Sequence, residues 1–319
     1  MESENINYTE ILHWLKNKAK EFGFGDVRVT DLDLSKEVPF LKKWLENGYH
    51  GQMHYMARHE NLRTDPANLQ PGVIRSISFR MDYLPRKINA SILKNEDQAS
   101  TDFRELELER LNDSSQAVVS LYARGRDYHK VLRKKLQSIA TLLEEKITPL
   151  NYRVLVDSAP VLEVALASKA GIGWRGKHTL NLNRQSGSMY FLGEILVDIP
   201  LPIDSPVSAH CGSCQDCLDI CPTNAIVAPY QLNANRCISY LTIEYSGSIP
   251  IEIRPFMGNR IYGCDDCQLV CHWNKFAQTS NLSDFDVRNS LDSSSLIDLF
   301  RWTKDEFVIK MQGDLPYWL

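Results

Sequence analysis

The chain has 319 residues, of which 43% are hydrophobic and 24% charged, with a formal net charge of -4. That make-up belongs to a folded globular protein with a sizeable core and excludes a disordered or fibrous chain. The acidic balance excludes nucleic-acid binding through overall charge, so any such site has to be a local basic patch.

From the N-terminus, MESENINYTE is polar and acidic, without the basic start and apolar stretch of a signal peptide. No apolar run approaches the roughly 20 residues that span a bilayer, so the expected compartment is the cytoplasm, with no membrane partner. Ile11, Leu12, Leu15 and Ala19 recur at helical spacing before GFG, which predicts a helix over 8–22. DVRVT reads as a strand and PFLKKWLENG as a short helix closed by Gly48. The acidic stretch 88–115 shows no apolar face and is expected to be a surface insertion. Val131, Leu132, Leu136, Ile139, Leu142, Leu143 and Ile147 outline a long amphipathic helix. Beside it Arg124, Arg126, Lys130, Arg133, Lys134 and Lys135 make the best candidate basic patch. YRVLV (152–156), HTLNLN (178–183) and MYFLGEILVDI (189–199) are strand-like, with a helix from Val161 to about Ala170. The expected fold class is α+β, with an N-terminal α/β layered domain over 1–204 that ends in the proline-rich LPIDSPVSAH.

All eight cysteines lie between 211 and 271, and in a reducing compartment such clustering points to metal or redox chemistry. Cys211, Cys214, Cys217, Cys221 and Pro222 match the C-x2-C-x2-C-x3-C-P run of bacterial ferredoxins. In that run three thiolates hold one 4Fe-4S cube and the fourth serves the other. Cys264, Cys267 and Cys271 repeat the last spacings, and Cys237 supplies the missing early member. The expected sets are therefore Cys211, Cys214, Cys217 and Cys271 on a first cluster, with Cys221, Cys237, Cys264 and Cys267 on a second. Both fall in a ferredoxin-like domain over 205–275. Two four-thiolate zinc sites are the alternative, but they leave the third x2 cysteine and the C-P step unexplained. Neither G-x-G-x-x-G after a strand nor G-x-x-x-x-G-K-[ST] occurs, so no dinucleotide site or P-loop is indicated.

GYHGQMHYMARHENLRTDP, ARGRDYHKVLRKKL, VDSAPVLEVALASKAGIGWRGKHTL, FLGEILVDIPLP, CGSCQDCLDICPTNAIV, RCISYLTIE and MGNRIYGCDDCQLVC resemble epoxyqueuosine reductase, in that family's order, over roughly 8–310. The resemblance implies a cobalamin-dependent iron-sulfur enzyme, related to reductive dehalogenases. Such an enzyme removes the epoxide oxygen of epoxyqueuosine at the tRNA wobble position to give queuosine. It implies Asp157 of VDSAP as proton donor, a role suited to a carboxyl buried at a strand end. Taken alone, Asp157 would instead cap the following helix. The resemblance also places Arg58 and Ser239 against cobalamin, and turns Lys177 and His178 toward the corrin or the tRNA. The implied partners are tRNA carrying epoxyqueuosine, held chiefly through phosphates, and an external low-potential electron donor; a monomer is expected. A non-catalytic two-cluster electron carrier and a corrinoid reductase of a small molecule are the rival readings. The basic helical-repeat segment that the family carries past the position of Gly313 is not matched, so 276–319 is expected to be a shortened helical tail, with weaker tRNA affinity or stability.

Overall fold

A computed structural model describes residues 6–86 and 102–314. Up to residue 200 the strands are β1 (Asp26–Thr30), β2 (Arg75–Asp82), β3 (Val118–Val119), β4 (Tyr152–Leu155), β5 (Trp174–Arg175), β6 (Asn181–Leu182) and β7 (Tyr190–Val197). The helices there are α1 (Tyr8–Glu21), α2 (Val38–Glu46), α3 (Tyr55–Arg58), α4 (Glu60–Thr64), α5 (Phe103–Asn112), α6 (Tyr128–Lys146) and α7 (Glu163–Ala170). The main sheet runs β1-β2-β7-β4 with every neighbouring pair antiparallel, so the fold is α+β as expected.

Helices cover both faces of this sheet. On one, Leu15 of α1 and Leu132, Leu136, Ile139 and Leu143 of α6 pack on Ile77, Phe79, Met81 and Ile195, all fully buried. On the other, Ala165 and Leu166 of α7 meet Leu155 and Leu196. Coverage on both sides explains why β7 is a near-continuous apolar run buried at every position. Gly193 lets α6 approach that strand, because a Cβ there would sit 2.7 Å from a methyl of Leu136. No element is expected from sequence over 75–82, yet β2 lies there at the centre of the sheet. Its Ser76 and Ser78 hydroxyls donate to the Glu194 carboxylate at 2.7 and 2.8 Å. HTLNLN contributes only the short β6, because Thr179 takes a φ of 76° and turns the chain before it.

The expected surface insertion needs correction. Residues 88–101 lie outside the described residues, but 103–112 form α5, whose Leu106 is buried in the structure. Phe103, Leu108 and Leu111 pack against the main core. Glu107 and Arg110 are buried too, and Glu107 receives both terminal nitrogens of Arg124 at 2.7 and 2.6 Å. Charges that neutralise one another inside the protein gave this helix an exposed-looking sequence. Arg124, at 2% exposure, is thereby removed from the basic patch.

Beyond residue 200 come a hairpin of β8 (Ile226–Ala228) and β9 (Gln231–Leu232), and β10 (Arg260–Tyr262), which pairs in parallel with β3. This pairing stitches the cysteine-rich part to the front part, and Leu269 and Phe285 enter the main core. The connecting stretch is pinned as well: Asp204 accepts the Val29 N–H and the Lys16 ammonium, each at 2.9 Å. Among the described residues no helix is long and apolar enough to cross a membrane.

Candidate active site

A cavity of about 520 Å³ opens between the α6–α7 end of the sheet and the cysteine-rich part. Aromatic side chains of Tyr122, Tyr190, Phe191, Tyr240 and Tyr262 form much of its wall. Asp157, His129, Tyr128 and Glu163 line it from the sheet, and Cys221, Cys237, Cys264 and Cys267 line it from the cysteine-rich part.

Asp157 stands two residues beyond β4, where the chain turns. Asp127 caps α6 by accepting the His129 N–H at 3.0 Å, which fixes Tyr128 and His129 in the first helical turn. Tyr128 stacks on Phe191 of β7, with ring centroids 4.0 Å apart and planes 6° from parallel. Its hydroxyl donates to Asp157 Oδ2, and burial followed by the Asp157 charge keeps that phenol well above its ordinary pKa, so it stays protonated. His129 bridges two carboxylates, with Nδ1 2.8 Å from Asp127 and Nε2 2.8 Å from Asp157. Burial opposes its charge, but hydrogen bonds to Asp127 and Asp157 outweigh it and raise its pKa to about 9. Asp157 therefore lies between a neutral phenol and an imidazolium.

Two expectations for Asp157 are corrected. Its side chain is 35% exposed, so it is not a buried acid, because the turn after β4 presents it to the cavity mouth. Nor does it cap the next helix: α7 begins at Glu163 with Leu162 in the capping position and no side-chain cap. Glu163 itself has a buried, unpartnered Oε2, and burial with the nearby charges of Asp157 and Glu194 drives its pKa well up.

The cysteines gather in two adjoining groups. Burial raises the Cys217 thiol to about 12, with further contributions from Cys271, Cys211 and Cys214. Burial likewise raises Cys267, with Cys237, Cys217 and Cys221 next in effect, and raises Cys264, with Asp266 and then Cys267 adding to it. Cys217 and Cys267 being within electrostatic reach of each other makes the two groups neighbours. Thiols that repel one another as anions need a cationic core between them to ionise together, which an iron-sulfur cube supplies.

The remaining expected residues separate. Ser239 lines the cavity, and its backbone N–H points to Cys237 Sγ. His178 also lines it; its Nδ1 accepts the Leu180 N–H at 3.2 Å, which leaves the hydrogen on Nε2, buried and without a protein partner. Burial lowers its pKa to about 4, so the ring is neutral. Arg58 ends the exposed α3, outside the cavity wall, although Met53 of the same segment belongs to that wall. Lys177 is corrected: it faces neither the cavity nor solvent, because its ammonium donates to the carbonyls of Gly212 and Cys214 at 2.8 and 2.6 Å. Sequence reasoning did not single out Tyr128, His129, Asp127 or Glu163. For the first three the D-Y-H step opening α6 is the signal, inside a segment read for its lysines and arginines; Glu163 has none.

A thiolate-rich double-cluster site beside a cavity with a proton-bearing wall defines an iron-sulfur reductase. Comparison with known proteins gives the class a family. Residues 210–274 match the "4Fe-4S double cluster binding domain" and 63–158 match "Epoxyqueuosine reductase QueG, DUF1730". The chain is 53% identical to epoxyqueuosine reductase of Burkholderia pseudomallei, over 97% of this chain and 78% of that protein. Against the Escherichia coli enzyme the identity is 50%, over 98% and 78%. A crystal structure of epoxyqueuosine reductase with an epoxyqueuosine-modified tRNA stem loop superposes with a TM-score of 0.83 at 29% identity, covering 98% of this chain and 78% of that one. A reductive dehalogenase shares the fold, with a TM-score of 0.50 at 12% identity over 86% of this chain and 33% of that one. The chain belongs to the epoxyqueuosine reductase family.

Proposed function

We propose that this chain reduces the epoxide of epoxyqueuosine in tRNA to the alkene of queuosine. The carrying observation is one cavity with His129 and Asp157 on one wall, Asp127 held behind His129, and the second-cluster thiols on the other wall, in a member of this family. The working division is a substrate and cobalamin domain over 1–204, a two-cluster domain over 205–275 and a helical tail over 276–319.

The reaction consumes two electrons and two protons for each epoxide oxygen released as water. Cobalamin, when bound, supplies the low-potential electrons at the reacting carbon. The cavity fits such a group: aromatic walls suit a large apolar macrocycle, and the unpartnered Nε2–H of His178 suits a peripheral amide carbonyl. Ser239 and His178 would hold it from the cavity wall, and Arg58, outside that wall on the segment that carries Met53, would reach its periphery.

Asp157 gives the proton to the epoxide oxygen as the carbon–oxygen bond opens. His129 stores the proton and passes it from Nε2 to Asp157 Oδ1, and Asp127 keeps the imidazole oriented through Nδ1. Tyr128 holds the Asp157 carboxyl toward the cavity. An external low-potential donor feeds the first cluster, and the protein works as a cytoplasmic monomer on tRNA.

The test is turnover: protein loaded anaerobically with iron, sulfide and cobalamin is given a strong reductant and epoxyqueuosine tRNA, and the nucleosides are analysed by mass spectrometry. Queuosine is expected. Its absence from protein carrying both clusters and the corrinoid would overturn the assignment.

A further inference from the structure

Lys177 is 8% exposed and its ammonium donates to two backbone carbonyls of the CGSC loop. Among the described residues no carboxylate lies within ion-pair distance of it, and it shares a small cleft with Cys211, Cys214, Cys217 and Cys271. A buried ammonium bound only to neutral carbonyls costs several kcal/mol unless an anion lies beside it. The neighbouring acid, Asp216, lines the same cleft but is solvent-exposed. A 4Fe-4S core held by four thiolates is a net anion in its oxidised state and gains one further negative charge on reduction.

We propose that Lys177 is the built-in counter-charge of the first cluster and raises its reduction potential relative to the second. The surroundings of the two sets support that asymmetry. Near the first, Arg104 donates to the Cys271 carbonyl at 3.4 Å but is already paired with Asp102 at 2.5 Å, so Lys177 is the uncompensated charge. Around the second, Asp265 and Asp266 are both buried; the Cys264 thiol donates to Asp266 at 3.1 Å, and Arg260 pairs with Asp266 at 2.5 Å. Among the described residues, the first set thus adjoins a buried cation with no carboxylate partner and one exposed carboxylate, Asp216, at Cys214, whereas the second adjoins two buried carboxylates and one paired arginine. The first cluster then holds an electron more tightly than the second, whose thiols line the cavity.

This inference rests on the proposed division of the cysteines, and the iron count keeps the two separable. Lys177→Gln retains a donor for the loop carbonyls without the charge, and Lys177→Arg retains the charge. Each variant is loaded anaerobically, assayed for iron and titrated electrochemically with electron paramagnetic resonance as readout. The expected result is full iron in both, with one of the two potentials displaced downward in the glutamine variant and restored in the arginine variant. Loss of half the iron from the glutamine variant alone also supports the counter-charge. Full iron with unmoved potentials in the glutamine variant overturns it, as do equal displacements of both potentials. Loss of iron from both variants also overturns it, since shape and not charge would then be at stake.

Discussion

His129 Nε2 lies 2.8 Å from Asp157 Oδ1, and the opposite nitrogen of the same ring is held by Asp127 at the same distance. A proton-loaded imidazole thus stands directly behind the carboxyl that faces the cavity. Asp157→Asn keeps the shape and removes the transferable proton, so queuosine formation should fall by about 10²–10⁴-fold with cluster content unchanged. The native enzyme is expected to lose activity as pH rises through about 9, and His129→Gln should both slow turnover and remove that decline. Equal activity of the Asp157→Asn variant would remove Asp157 from the chemistry.

The same imidazole links stability to pH. Its folded pKa of about 9 lies above the ordinary 6.5, so the stabilisation is fully present below pH 6.5 and is lost as pH rises through about 9. Melting temperatures of loaded native protein should therefore decline between these values. The His129→Gln profile should be flatter across that window, and parallel profiles would contradict the double hydrogen bond.

Glu107 and Arg124 form a buried, two-pronged ion pair. Removing one partner strands the other charge, so Glu107→Ala should cost about 3–5 kcal/mol in thermal or denaturant unfolding. Arg124→Met combined with Glu107→Gln should recover only part of that loss, because Arg110, buried and 3.7 Å from the Glu107 carboxylate, then loses its own counter-charge.

On the outer side of α6, Arg133 and Lys134 are exposed, whereas Arg124 is not. Neutralising Arg133 and Lys134 should weaken tRNA binding and lower the slope of log affinity against log salt by about one for each phosphate that is no longer neutralised. An unchanged slope would place the tRNA on another face.

The crossing cysteines test the ligand sets. Cys221 sits in the first run but is assigned to the second cluster, so Cys221→Ala should reduce iron from about eight to about four per chain and spare the first cluster. The surviving signal should match that of Cys264→Ala and differ from that of Cys271→Ala.

How much of this was legible in sequence depends on how local the signal is. The C-x2-C-x2-C-x3-C-P run and its displaced partner set are chain-local spacings, and they determined the iron-sulfur chemistry without any fold. Helical periodicity likewise determined α1, α6 and α7, and the quoted segments carried the family likeness that the comparisons bear out. Only tertiary structure could decide the rest. Whether Arg124 grips tRNA or lies buried depends on Glu107, 17 residues before it in the chain. Lys177 is tied to the CGSC loop because its ammonium reaches carbonyls 35 and 37 residues away, which no spacing rule anticipates. Asp157 ends a hydrogen-bonded chain and is not a helix cap because α6, packed on β7 through Tyr128 and Phe191, delivers His129 to it. Spacing identifies ligands that act together along the chain, whereas charge pairing and proton transfer act through space, over distances that only packing sets.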